Sequence, residues 1–251
     1  MSHDYAQVAR YNASLTLEEC LPALGAPSPA TADQLANLAI ASRVLGICAI
    51  LLDADQGSFA TMLRQAGQAR LALLRVSRQP PGITPQPMTS ETIGFSDALA
   101  GGDLDLAREV ARLSPFRHFP GEEYEEDFLF GRALHLIALR PMDRTLLPSL
   151  LDRFEALDPS GADAAKLAVC RALAERAAPA FEEAFVELCR ERDLEAQAYR
   201  KRTDFDPEVH ATTFKLYVDG LAVRALARGL GLPEPPLMPM VPSLARVDVG
   251  T

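Results

Sequence analysis

The chain has 251 residues, 48% hydrophobic and 24% charged, with a net charge of −9 and no Trp. That balance excludes a disordered polypeptide and leaves room for one large core or two modest ones. The negative charge argues against nucleic acid as a direct ligand, since phosphate binding needs a basic face, and it permits a basic protein partner.

Alanine and leucine dominate and β-branched residues are few, so helix propensity outweighs strand propensity along the chain. In the first 30 residues Pro22, Pro27 and Pro29 interrupt any long element. No basic segment followed by an apolar one precedes them, so no signal peptide is expected and the expected location is cytoplasmic. Thr31 with Gln34 three residues on forms a capping-box pattern. It predicts a helix to about Asp53, with Leu35, Leu38, Ala39, Leu45, Ala49 and Leu52 facing inward. The apolar run Leu35 to Leu52 has Arg43 at its centre and Asn37 near its start, which makes bilayer insertion costly and a buried helix the expectation. After a turn at Gly57-Ser58 a second amphipathic helix is predicted to about Arg78, forming an antiparallel hairpin with the first.

Prolines 80, 81, 85 and 87 then mark a connector, which is either a domain boundary or a long loop inside one helical domain. The expected division is an N-terminal hairpin region (1–79), a proline-rich connector (80–90), a main helical domain (91–232) and a proline-rich tail (233–251). Within the main domain, helices are predicted over Glu91–Ala100 and Asp103–Leu113, split by Gly101-Gly102 with Asp103 as N-cap. Further helices are predicted over Glu122–Leu139, Arg144–Leu157, Ala162–Arg176 and from Pro179 to about Arg200. Pro141 and Asp143 punctuate between the first two. Asp206-Pro207 starts a last helix carrying Phe214, Tyr217, Leu221, Ala222 and Ala225 and stopping at Gly229 or Gly231. No βαβ alternation or hairpin strand signal appears. The predicted fold class is all-α, with antiparallel helical hairpins packed as a bundle or a short helical-repeat-like array.

Cys20, Cys48, Cys170 and Cys189 lack metal-ligand spacing and read as small buried hydrophobes in a reducing compartment. The histidines at 3, 118, 135 and 210 lack an acidic residue three positions before them, so the Glu-x-x-His pattern of carboxylate-bridged metal bundles is missing. There is no phosphate-binding glycine loop, no GxSxG, no HExxH and no dinucleotide fingerprint. Neither an enzyme nor a cofactor is expected. Arg132 and His135 interrupt the apolar half of the Glu122–Leu139 helix. Burial there predicts an ion pair from Arg132 to a neighbouring helix and a hydrogen-bond partner for His135.

The most charged stretch is "GEEYEEDFLFGRALHLIAL", Gly121 to Leu139. Glu122 with Glu126, and Glu123 with Asp127, would be i, i+4 neighbours on that helix. From Asp103 to Asp127 there are eight acids against Arg108, Arg112 and Arg117. The run is either ordinary solvated surface favoured by the helix dipole, or a docking patch whose repulsion a basic partner relieves. Glu122, Glu123, Glu125, Glu126 and Asp127 are therefore the candidate contact residues. Phe116, Arg117 and Phe119 in the loop "SPFRHFPG" are secondary candidates, because aromatics and Arg lead among interface anchors; they could equally tuck the loop onto the core.

The segments "GFSDALAGGDLDLAREVARL", "EEYEEDFLFGRALHLIAL" and "GLAVRALARGLGLPEPPLMPMVP" occur in an order that resembles an all-helical family of bacterial immunity proteins. It is the family numbered forty-nine in polymorphic toxin systems, or a related helical one, and the likeness runs from about Gly94 to Pro242. The resemblance implies a cytosolic protein that binds a cognate toxin with a basic cleft and covers its active site. A helical-repeat adaptor or chaperone for a secreted effector is the alternative expectation.

Overall fold

A computed structural model describes residues 2–24, 31–78, 87–139 and 145–248. Eleven α-helices run through them and no strand does: α1 (Ser2–Cys20), α2 (Ala32–Asp53), α3 (Gln56–Ser77), α4 (Phe95–Ala100), α5 (Leu104–Leu113), α6 (Glu125–Ala138), α7 (Leu146–Glu155), α8 (Gly161–Glu175), α9 (Ala178–Tyr199), α10 (Pro207–Ala211) and α11 (Val218–Gly229). The fold is all-α.

Several helix starts follow from local chemistry. The Thr31 hydroxyl accepts from the Gln34 amide and the Gln34 side chain accepts from the Thr31 amide, closing the capping box of α2. Asp55, Asp103 and Asp206 accept from amides two or three residues on and start α3, α5 and α10. Others, such as α6, α8 and α11, start without a side-chain cap. Residues 2–20 form α1, whose buried face is Ala6, Ala9, Ala13 and Cys20. Small side chains at helical spacing leave almost no hydrophobic periodicity to read, and Pro22 falls in a short 3-10 turn beyond the helix end. Pro27 and Pro29 lie outside the described residues.

Helices α2 and α3 pack along each other, with α1 against α2 on one side and against α10 on the other. By length and composition α2 could cross a bilayer, its mean hydropathy reaching 2.1 over 18 residues. Most of that stretch is instead covered by protein, as expected for a core helix.

At the centre sits α4, all six of whose residues are buried against α3, α5 and α11. It is shorter than the predicted Glu91–Ala100 helix because Gly94 adopts φ +90° just before it. A Cβ on Gly94 would run into the Arg70 side chain, so only glycine satisfies both the left-handed backbone and the contact. The Asp97 carboxylate, fully buried, accepts from the Gly94 amide at 2.5 Å and from Arg43 Nε and Nη2 at 2.7 and 2.9 Å. Arg43 comes from α2, so this bidentate pair ties the N-terminal hairpin to the helix at the middle of the fold. Burial opposes the charge on Arg43, but Asp97 and Asp219 outweigh it and hold the guanidinium above its ordinary value.

Residues before and after the proline-rich connector share one hydrophobic cluster, in which Ile47, Phe59 and Leu63 join Phe95, Leu99, Phe128 and Leu221. Most of the connector itself, residues 80–86, lies outside the described residues, as do Pro141 and Asp143. The single helix predicted after Asp206 is two: α10 ends at Ala211, and α11 begins only at Val218. Thr212 leaves helical geometry at φ −118°, ψ −82°, and the Tyr217 amide donates to Met240 O in the returning C-terminal segment. That segment is no free tail. Met240, Val241 and Ala245 are buried, and Glu234 pairs with both Arg224 and Arg246.

Helix α6 lies against α5, α7, α8 and α11. It meets the segment before α4 at Gly131, where an added Cβ would overlap the Thr89 carbonyl. Gly131→Ala must push that backbone away and is expected to cost about 1–3 kcal/mol, the range for overpacking a filled core. A urea-unfolding midpoint unchanged from wild type would show the Thr89 segment yields freely.

Candidate functional site

The acidic run does not present five equivalent carboxylates. Helix α6 starts at Glu125, not Glu122, because Gly121 turns at φ +83° and the Phe119 carbonyl accepts from both the Glu122 and Glu123 amides. Glu122 and Glu123 thus lie in a turn, and the two expected i, i+4 pairs do not form on one helix. Glu123 reaches inward: its carboxylate accepts from the Ser90 and Phe119 amides at 3.1 Å each, and its carbonyl lies 3.0 Å from His118 Nε2. It joins two loops to the helix start. Glu125 pairs with Arg153 of α7 at 2.6 Å, and Asp127 with Lys166 of α8 at 2.7 Å. The half-buried Lys166 also holds Asp163 at 2.8 Å, and these carboxylates raise its pKa against the opposing effect of burial. Only Glu122 and Glu126 make no side-chain hydrogen bond or ion pair among the described residues.

The loop candidates divide in the same way. Phe116 is 63% exposed, yet one ring face lies 3.7 Å from the Arg132 guanidinium. Arg117 rests 4.7 Å over the Phe119 ring. Arg117 and Phe119 flank a hollow of about 360 Å³ with Leu74, Arg78 and Leu113.

Arg132 and His135 depart from expectation. No carboxylate lies within ion-pair distance of the buried Arg132 among the described residues; its Nη1 has no hydrogen bond, and the Phe116 ring takes the place of the expected counter-ion. Burial lowers its pKa to about 10. His135 Nδ1 also lacks a partner, and the ring meets Phe95 edge-on with centroids 4.3 Å apart. Burial, followed by the positive charges of Arg132 and Arg70, pushes the imidazole down to about 3. A neutral imidazole can be enclosed here, whereas an imidazolium would face two like charges.

What the fold assembles is a cleft of about 550 Å³ between the start of α6, the segment before α4, α8, α9 and the start of α11. Five carboxylates line it (Glu126, Asp127, Asp163, Glu195 and Asp219) against the cations of Lys166 and Arg192. Arg192 is engaged internally: it pairs with Glu195 at 2.6 Å, donates to Thr213 O at 3.2 Å and lies 4.2 Å over the Phe214 ring, while its buried Nε makes no hydrogen bond. Asp219 stands 3.9 Å from Arg43, whose guanidinium is already held by Asp97, and one Asp219 oxygen is buried without a hydrogen bond. Tyr217 is 8% exposed, and its hydroxyl makes no hydrogen bond among the described residues. Tyr124, 79% exposed, stands at the mouth.

Of the residues singled out in the sequence, Glu126 and Asp127 reach this cleft. Tyr124, Lys166, Arg192 and Asp219 were not singled out, and Tyr217 only as an apolar position of the last predicted helix. Taken one at a time they read as helix surface, helix ends or core, and no short-range spacing links them. Among the described residues no group of three or more His, Cys, Asp or Glu side chains is placed to hold a metal ion. The four cysteines are buried and unpaired, and burial pushes the Cys48 and Cys189 thiols up to about 11 and about 12. Comparison with protein-family models, with curated proteins and with solved structures returns no match.

Proposed function

We propose that this chain is a non-catalytic binding protein of the immunity type, which neutralises a basic toxin in the cytoplasm by laying the acidic face around the start of α6 over the toxin's active site. The observation that supports the reading is the open acidic cleft, with Glu126 in its wall, Glu122 two residues from its exposed Tyr124 ring, and neither carboxylate paired among the described residues. Carboxylates already paired at home offer a partner little. Unpaired ones next to an exposed aromatic combine electrostatic steering with an anchor. The toxin as partner comes from the family resemblance; the acidic cleft supplies the matching chemistry.

The test separates contact residues from structural ones. Glu123, Glu125 and Asp127 hold loops and helices together, so reversing them would disturb the fold itself. Glu122→Lys with Glu126→Lys leaves every internal pair intact. Co-expression with the product of the adjacent gene should arrest growth without this chain and restore it with the wild type. The charge-reversed variant should lose protection while its circular dichroism and melting temperature stay unchanged. Full protection by that variant would remove the acidic face as the docking surface. Absence of rescue by the wild type would remove the immunity reading.

A further inference from the structure

We infer that the cleft between α6, α8, α9 and α11 is a receptor for a single guanidinium, the side chain of an arginine on the bound partner. The inference rests on the binding-protein reading above and gives that surface its specific chemistry. Three independent features converge. The first is charge: five carboxylates against two cations leave three net negative charges around about 550 Å³, so a cation is the ligand that balances the site. The second is the state of the resident cations. Lys166 already holds Asp127 and Asp163, and Arg192 already pairs with Glu195, donates to Thr213 O and lies over the Phe214 ring; the Arg192 nitrogen without a hydrogen bond, Nε, is buried, so each cation comes to the cleft with a carboxylate of its own.

The third is Tyr217. The side chain is more than nine-tenths buried, yet it lines the cleft, its hydroxyl is not among the enclosed atoms, and it makes no hydrogen bond among the described residues. Its oxygen can accept from an N–H placed in the cleft. Together with Asp219 on the same wall and the unpaired Glu126 on the opposite helix, it forms an acceptor set that approaches a ligand from several directions. A guanidinium carries five donors in a plane and suits such a set better than the compact ammonium of lysine; its flat face also suits the exposed Tyr124 ring.

The experiment uses the full chain and two capped tripeptides, acetyl-Gly-Arg-Gly-amide and the same peptide with citrulline, which keeps the planar shape and loses the charge. Calorimetric titration should give binding of the arginine peptide in the millimolar range or tighter, with the citrulline peptide at least tenfold weaker. Glu126→Gln, which breaks no internal contact, should weaken the arginine peptide severalfold, and Tyr217→Phe likewise. Equal affinity for the two peptides, or arginine binding untouched by Glu126→Gln, would overturn the site, as would no binding of the arginine peptide. If the arginine peptide binds but growth protection fails, the immunity reading falls and the receptor stands. If protection holds and the peptide does not bind, the receptor falls and the immunity reading stands.

Discussion

Asp97→Asn should destabilise the protein by about 3–5 kcal/mol, the range for leaving a buried charge without its counter-ion. Asn keeps the size of the side chain, and its oxygen can still accept from the Gly94 amide. It cannot neutralise Arg43, which is buried and would be left with Asp219 at 3.9 Å. Because the pair joins α2 to α4 at the centre of the fold, the loss is felt by the whole core and not by one helix end. For a chain of this length the change corresponds to a fall of about 6–20 °C in melting temperature. Adding Arg43→Met should recover more than half of it, since a neutral, volume-matched pair no longer carries an orphaned charge. Thermal and urea unfolding of wild type, single and double variants measure both effects. A single variant melting within 2 °C of wild type would show that the pair does not join the two halves.

The second large effect is on pH. His135 has its pKa pushed to about 3 in the fold, from an ordinary value of 6.5. Between those values the unfolded chain binds a proton that the native state refuses. Stability therefore falls as pH drops through 6.5 towards 3 and is unaffected by this residue above that window. Each pKa unit is worth about 1.4 kcal/mol, so the loss contributed by His135 reaches about 5 kcal/mol at pH 3. Acid also breaks carboxylate ion pairs, and a comparison isolates the histidine: His135→Leu cannot take up the proton and removes an unsatisfied Nδ1. The stability difference between variant and wild type should be constant above pH 7 and move in the variant's favour by about 1 kcal/mol or more for each pH unit below 6. Parallel pH profiles for the two proteins would show that His135 is not enclosed as a neutral ring.

The two buried basic residues of α6 show why the site was harder to read than the helices. A buried Arg ordinarily implies a carboxylate, and that expectation failed at Arg132 because Phe116, 16 positions earlier in an exposed loop, folds its ring over the guanidinium. The acidic run misled in a related way. Its residues look interchangeable along the chain, but Glu123 meets Ser90 across 33 positions, Glu125 meets Arg153 across 28, and Asp127 meets Lys166 across 39. Among the described residues the same packing leaves Glu122 and Glu126 unpaired.

The amino-acid sequence by itself determined the all-α class, the start of α2 at Thr31, the starts of α5 and α10 at Asp103 and Asp206, and the burial of the apolar helix around Arg43. Those outcomes depend on hydrogen bonds spanning two to four residues and on the period of apolar side chains, both carried by neighbouring positions. Tertiary structure alone decided that α1 exists as a packed helix, that the last predicted helix breaks at Thr212, and which carboxylates remain unpaired. It alone built the cleft, whose walls come from distant parts of the chain. Such groups meet only when helix packing brings their surfaces within a few ångströms, and no short-range pattern encodes that separation.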